Sequence, residues 1–578
     1  MRGLIMTAAP VGASVSPLFG PVPSALVPLN GRPVLLTIAQ ELAACGVRDL
    51  TLVVGHQAER VREVCARFLS ADWTLHFIEL PPGLSAGQAL TRALESFEPQ
   101  DEVLLNLGDT LVPGLAETLA RAPADRLLVL SATPEPDEHR WCGLQLAEGG
   151  TVQGWHNACC ADGRTPVAAG VYRLPARAAG TVLPNAPGTE ISDVLQACLG
   201  PGQTALAWPV ARWYDVGHLE CYQVARKRLL ESRSFNALQF DDFLGTVTKR
   251  SVHWRKLGDE ARWALQLPAA LQALAPRVTE FVEAGPDTRL TLEYYGYPTA
   301  AELWLYGAFP ASVLTGLARR LLQVLDRFAG EQRPVPPEDF DLMYRVKTEQ
   351  RVADAMRGNP VLARLLSAPA LRLNGRWQPG WPALWQALRP RLADLWRPED
   401  CTLIHGDLCL SNVLYDVGGG IVRLIDARGR WGSEDSPIGA GDLKYDLAKL
   451  RHSLCGGYDF IVNDLFDLRL GEDGTTLDWQ LARQPQHRAV AAQFDALLAP
   501  RHDLQEVRLI EALLFISMLP LHADRPRRQL AMAGVGLAQL AACLHAQPDQ
   551  ERAPVTQAAP WWRPARDAGA PLRRPAGP

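Results

Sequence analysis

Up to about residue 230 the chain keeps one rhythm, a short apolar run, then a helix-like stretch, then another apolar run. The runs RGLIM, DLTLVVG, EVLLNLGD, RLLVLSA and AAGVYRL alternate with segments such as PVLLTIAQELAACGV and AERVREVCARFL. Strand, helix, strand in this order predicts a mostly parallel sheet covered by helices. Ligands of such sheets bind beyond the carboxyl ends of the strands, which draws attention to Asp109 in NLGDT. From about residue 233 the texture changes to the antiparallel-looking SRSFNALQFDDFLGTVTKRSVHW, the helix-like GDEARWALQLPAALQAL and the strand RLTLEYYGYPT, with long helical segments after them. A small sheet followed by a helical lobe predicts a second, two-lobed α+β domain.

The expected organisation is therefore an α/β domain over residues 1–232, a two-lobed α+β domain over 233–545, and a disordered tail over 546–578 that is rich in Pro, Ala and Arg. With 578 residues the chain has ample length for two or three domains, and no internal repeat is visible. The formal net charge of -5 lacks the positive excess of a nucleic-acid binder, so any phosphate must be handled locally. Eleven scattered cysteines without a C-x-x-C argue against a zinc ribbon or a disulfide framework and fit a reducing cytoplasm. The apolar run from Ala512 to about Leu521 is roughly half of the ~20 residues that a membrane-spanning helix needs, so no membrane insertion is expected. The opening MRGLIMTAAP reads as a first buried strand, its apolar core being too short for a signal peptide.

Lysine is scarce. Only Lys227, Lys249, Lys256, Lys347, Lys444 and Lys449 occur, which limits the candidates for any role that needs one.

The stretch LIHGDLCLSNVLYD at 403–416 holds a carboxylate, Asp407, and a carboxamide, Asn412, five positions apart. Phosphoryl transfer to a hydroxyl needs a carboxylate that orients and deprotonates the acceptor and ligands that hold magnesium on the phosphates. Asp407 suits the first role and Asn412 the second, at the same Asp-to-Asn offset as in kinase catalytic loops. Fourteen residues beyond Asn412, VRLIDARG ends a strand with Asp426, placed to bridge metal and phosphates. HGDLCLSN, LIDARG and GDLKYDLAKL together resemble the aminoglycoside phosphotransferase and choline kinase family over about residues 233–545.

That resemblance implies ATP-dependent phosphorylation of a small hydroxyl compound such as an amino alcohol, a sugar or an aminoglycoside, with Mg2+ as cofactor. It implies that His405 braces the loop and that Asp446 holds structure. It also implies a small-lobe lysine paired with a helix glutamate. Lys249, at the end of a β-branched strand, is preferred to Lys256, near a helix start, and Glu260 is the expected partner. TLEYYGYPT, with Glu293 to Tyr295, resembles the hinge that receives adenine, and Gly245 is what remains of a glycine-rich loop.

In the first half, the region from GLIMTAAPVGAS to RDLTLVVG resembles the opening of a sugar-phosphate nucleotidyltransferase, a Rossmann-like fold of the GT-A-like kind. The glycine-rich loop keeps Gly12, but Ser14 and Ser24 stand where that family carries its Arg and Lys, and Arg32 is the one nearby cation considered as a substitute. Those cations would stabilise charge growing on the phosphates. NLGDT and RWYDVGHLECY match the family's metal-holding segments, so Asp109 and Asp215 are implied to hold magnesium against a nucleotide, and LSAGQAL resembles its base-reading loop. The expectation is a bifunctional cytoplasmic enzyme that phosphorylates a small molecule and activates the product with a second NTP, feeding surface polysaccharide synthesis. A binding-only first domain, or resistance to aminoglycosides with GSEDSP lining an acidic cleft, are the alternatives.

Overall fold

The computed structural model describes residues 1–545 apart from 70, 125, 136, 176–182, 201 and 231–235. The expected boundary at 232 and the expected tail from 546 both lie outside the described residues. The chain forms two compact units. The first is Met1–Gly258, Pro276–Phe309 and Val413–Arg423; the second is Asp259–Ala275, Pro310–Asn412 and the chain from Leu424 onward.

The first unit holds a nine-stranded sheet. Arg2–Met6 lies at its centre, parallel to Asp49–Val54 on one side and to Val103–Asn106 on the other, with Leu4 opposite Thr51 and Leu105. Leu4 and Ile5 are fully buried, as a central strand covered on both faces demands. Thr74–Glu79 extends the parallel side. Val167–Leu174 runs antiparallel to Val103–Asn106, so the sheet is mixed, and Leu128–Ala132 and Leu206–Pro209 continue beyond it. LSAGQAL opens the helix Ala86–Leu94, where Ser85 and Gln88 form a capping box. A Cβ on Gly87 would stand 2.5 Å from the carbonyl oxygens of Thr189 and Glu190, so glycine permits this close backbone approach.

The same unit contains a four-stranded antiparallel sheet in the order Asn236–Asp241, Thr246–Ser251, Arg289–Glu293, Val278–Val282. It joins the larger sheet's domain through the helices Leu219–Leu230 and Ala300–Tyr306. Glu302 is 3% exposed and accepts hydrogen bonds from Arg226 at 3.0 Å and from the Gly31 amide at 3.0 Å, while its own helix is capped reciprocally by Thr299.

The second unit is mainly helical. Leu504–Ser517 is buried on nearly every face, which explains the apolar run from Ala512 as core rather than membrane span. Among the described residues no helix is long and apolar enough to cross a membrane. The helix expected over GDEARWALQLPAALQAL begins earlier and ends sooner, at Trp254–Leu265, because Pro268 disfavours helical backbone just before it.

Candidate functional site

The loop after the strand Cys401–Leu403 is tied down from two directions. On the helix Leu443–Arg451, which is wholly buried, Asp446 accepts the backbone N–H of His405 at 2.6 Å and of Gly406 at 2.9 Å. His405 is itself fully buried; its Nδ1 accepts the Asp407 N–H at 3.3 Å, which leaves Nε2 to donate to the Ile425 carbonyl at 3.0 Å. Burial pushes the His405 pKa down to about 4, so the ring is a neutral strut. Gly406 has φ +75°, and a Cβ there would stand 2.9 Å from that of Arg428, so this turn needs glycine.

Asp407 then projects with its side chain 33% exposed, in ion-pair contact with Lys449 Nζ at 2.8 Å. Burial opposes its charge, but Lys449 and then Arg428 outweigh burial and hold the carboxyl well below the ordinary range. Asn412 Nδ2 donates to the Asp407 carbonyl at 2.9 Å and to Oδ2 at 3.3 Å, which turns Oδ1 away from Asp407. The Ile425 N–H donates to the Asn412 carbonyl at 3.0 Å, bringing the next residue, Asp426, alongside. Asp426 sits at φ +58°, a left-handed conformation that Asp tolerates better than most residues. The sequence-derived trio is thus assembled within one unit. An outward Asn oxygen beside a carboxylate is hard-oxygen chemistry that fits magnesium.

Sequence reasoning passed over the cations around Asp407. Lys449 follows Asp446 by three residues on one helix, so both face the loop, one holding its backbone and the other its carboxylate. Lys347, 8% exposed, donates to the Tyr445 hydroxyl at 3.2 Å and lies over the rings of Trp431 at 4.8 Å and Tyr445 at 4.7 Å. Arg428 stacks on Trp431 at 4.0 Å. The lysine census was the available signal, since two of six lysines fall here.

The remaining expected nucleotide contacts divide between the units. Lys249 lies mid-strand in the first unit, half-buried and opposite Leu290, whereas Lys256 is on an exposed helix position. Glu260 lies in the second unit. Glu293 ends its strand with its carboxylate held by Arg277 at 3.2 Å and by the Tyr295 hydroxyl at 3.0 Å. The Tyr294 N–H already donates to Gly245.

The larger sheet builds a second centre. Buried Asn106 clamps the turn in NLGDT, accepting the Gly108 N–H at 2.8 Å and donating to the Thr110 carbonyl at 3.0 Å, which presents Asp109. The short strand Thr110–Leu111 pairs with Tyr214–Asp215, placing Thr110 opposite Asp215. A Cβ on Gly217 would stand 3.0 Å from Asp109 Oδ2 and 3.1 Å from Asp215 Oδ1, and one on Gly12 would stand 3.0 Å from the Gly217 carbonyl. Gly12, Asp109 and Asp215 therefore converge.

Burial and the neighbouring Asp215 raise the Asp109 pKa above the ordinary carboxylate range. Asp215 is buried too, yet hydrogen bonds from His218 at 2.8 Å, Trp141 at 2.7 Å and the Gly217 amide at 2.7 Å hold it below its ordinary value. His218 and Trp141 were not foreseen, although RWYDVGH contains the histidine three residues on. Two adjoining carboxylates are an arrangement that a divalent cation would relieve. Among the described residues, no group of three or more His, Cys, Asp or Glu could hold a metal ion alone.

The two positions where the resembled family carries its Arg and Lys hold serines. Ser24 is 8% exposed among buried Val22, Ala25, Leu26 and Val27; Ser14 and Arg32 are exposed. The loop after the first strand is closed on itself, with the Val11 N–H on Val22 and those of Val15 and Ser16 on Gly12.

Residues 246–459 match the model of the phosphotransferase enzyme family, and residues 16–227 that of the MobA-like NTP transferase domain. A CMP-5'-(3-aminopropyl)phosphonate synthase of Streptomyces rubellomurinus is 31% identical over 23% of this chain and 21% of its own length. The bifunctional protein GlmU of Acidovorax ebreus is 30% identical over 23% of this chain and 29% of its own length. The chain thus spans about a fifth to three tenths of these curated relatives. The crystal structure of HddC from Yersinia pseudotuberculosis aligns with TM-score 0.33 and 18% identity over 40% of this chain and all of that one.

Proposed function

From a chain that carries an N-terminal MobA-like NTP transferase domain and a C-terminal phosphotransferase-family domain, we infer a bifunctional enzyme. Its second half phosphorylates a hydroxyl of a small molecule with ATP, and its first half couples the phosphomonoester to a second NTP. What supports this reading is that Asn412 donates to Asp407 and its carbonyl receives the N–H of Ile425, the residue before Asp426.

Asp407, kept ionised by Lys449, accepts a hydrogen bond from the acceptor hydroxyl and orients it toward the terminal phosphate. Its lowered basicity suits a loose transition state, in which the hydroxyl proton leaves late and positioning outweighs abstraction. Asn412 Oδ1 and Asp426 would hold magnesium, which would neutralise charge on the transferred group. Lys249 would reach the phosphates, and the segment Glu293–Tyr295 would receive adenine. In the first domain Asp109 and Asp215 would hold a metal against the nucleotide, Gly12 permitting the phosphate loop to approach. A kinase product is the acceptor that a nucleotidyltransferase uses, and the resemblance to sugar-phosphate nucleotidyltransferases supports a cytoplasmic role in supplying activated units for surface polysaccharide.

A second reading keeps the kinase and makes the first domain a nucleotide-binding module. The buried Ser24 and the exposed Ser14, in place of Lys and Arg, favour it. Phosphorus NMR of the protein with magnesium, ATP, CTP, GTP, UTP and a pool of sugars, polyols and amino alcohols separates the two. A phosphomonoester followed by pyrophosphate supports the bifunctional enzyme. A phosphomonoester alone supports the binding module, and neither species would sink both.

A further inference from the structure

Lys347 is a buried lysine for which the chemistry at Asp407 has no evident use. It begins the helix Lys347–Gly358, directly after a π-helical turn over Leu342–Val346, a feature that often marks functional positions in helices. Its ammonium has three donors, and the Tyr445 hydroxyl takes one. Among the described residues it forms no ion pair with a carboxylate; two aromatic faces are its other contacts. Taking an ammonium out of water without a counter-ion is costly, and such groups are normally found paired.

The charges bearing on it make matters worse: after burial, Arg428, Arg351 and Lys449 push its pKa well below the ordinary lysine value, and Asp407 only partly opposes them. Asp407 is already committed to Lys449, and Arg351 is anchored on the Ser517 carbonyl at 3.0 Å. Asn412 and Asp426, the expected phosphate-side ligands, are on the loops that follow Asp407. Lys347 reaches this neighbourhood from a helix of the lobe expected to read the acceptor.

We propose that Lys347 is the anion contact for the acceptor, so that the hydroxyl compound phosphorylated at Asp407 carries a carboxylate or phosphoryl group. This rests on the kinase reading above. An anionic group entering here displaces no protein partner of the ammonium and gives the excess of cations its missing counter-charge. A cationic acceptor, such as an amino alcohol or an aminoglycoside, would add a further positive charge beside Arg428 and Arg351 and supply no counter-charge.

The test uses the full chain with magnesium and ATP, and acceptors in matched pairs: glucuronate with glucose, glycerate with glycerol, glucose phosphate with glucose, and choline and kanamycin as cations. Turnover is expected with an anionic member of a pair, and the class that wins tells carboxylate from phosphoryl recognition. Lys347→Met should raise the KM for that acceptor roughly 10- to 100-fold while leaving the KM for ATP near wild type. Lys347→Arg should recover most of the loss, which a purely structural lysine would not predict. A neutral or cationic acceptor preferred over its anionic counterpart, or a shift in the KM for ATP instead, would overturn the proposal and leave the kinase standing. Absence of any phosphorylated product from the wild-type protein would remove the kinase reading and this proposal with it.

Discussion

Asp407 and Lys449 form a pair in which the carboxylate is one-third exposed and the ammonium 5% exposed. Asp407→Asn should lower acceptor phosphorylation by roughly 100- to 10,000-fold, the usual contribution of a positioned acid or base. The structure adds a cost that the motif does not suggest. The Lys449 ammonium would face a neutral amide, so the variant should also lose about 1 to 3 kcal/mol of stability, read as a lower midpoint in urea. Activity within tenfold of wild type would place the base elsewhere. The motif made Asp407, Asn412 and Asp426 legible because their spacing is local and their chemistry restrictive. Lys347 was not legible, because what distinguishes it is burial without a carboxylate ion pair among the described residues, a property of tertiary packing.

At the scale of elements, apolar runs announced the strands but not their directions. Val167–Leu174 is buried at eight residues in succession, Arg173 included, and reads like the parallel strands, yet runs antiparallel. Hydrophobicity records burial on both faces, and direction depends on a partner distant in sequence. The helix Val34–Ala44 shows how such partners are chosen: Glu41 accepts the Val112 N–H at 3.1 Å, bracing the segment that follows Asp109. Burial raises the Glu41 pKa from 4.5 to about 7. The folded state thus holds this proton more tightly than the unfolded chain, a stabilisation complete below about 4.5 and lost as pH rises through about 7. Glu41→Gln keeps the acceptor and does not titrate. Relative to wild type it should gain up to about 3 kcal/mol between pH 5 and 8, measured by urea unfolding across that range. A difference that stays flat with pH would show that Glu41 is ionised throughout.

For the whole molecule, the question is whether the first domain is a passenger on the kinase. The small antiparallel sheet, with its strand Arg289–Glu293, clusters with the first domain in one compact unit. Lys227, on the helix Leu219–Leu230, lies 2.8 Å from Asp242 in the first turn of the small sheet and 5.0 Å over the ring of Tyr294, in the segment proposed to receive adenine. A Cβ on Gly296 would stand 3.2 Å from Gln223, on the same helix, and the Ala308 N–H donates to the Phe19 carbonyl at 2.7 Å. Beneath these contacts is the Arg226–Glu302 pair, with both residues buried. Breaking a buried pair by removing one partner costs about 3 to 5 kcal/mol, because the other charge is left uncompensated. Glu302→Ala should therefore destabilise the protein by that amount in urea, whereas a change under about 1 kcal/mol would mean that Arg226 finds another partner. A chain starting at Asn236 removes Arg226, Gly31 and the hinge support together. If it stays soluble, its KM for ATP should rise on the order of tenfold through a misplaced hinge, and adding the separate 1–230 fragment should restore it. A fragment with wild-type KM and unfolding midpoint would show that the fusion only keeps two activities on one chain. The predicted loss would instead make the first domain a structural part of the kinase, whatever chemistry it performs at Asp109 and Asp215.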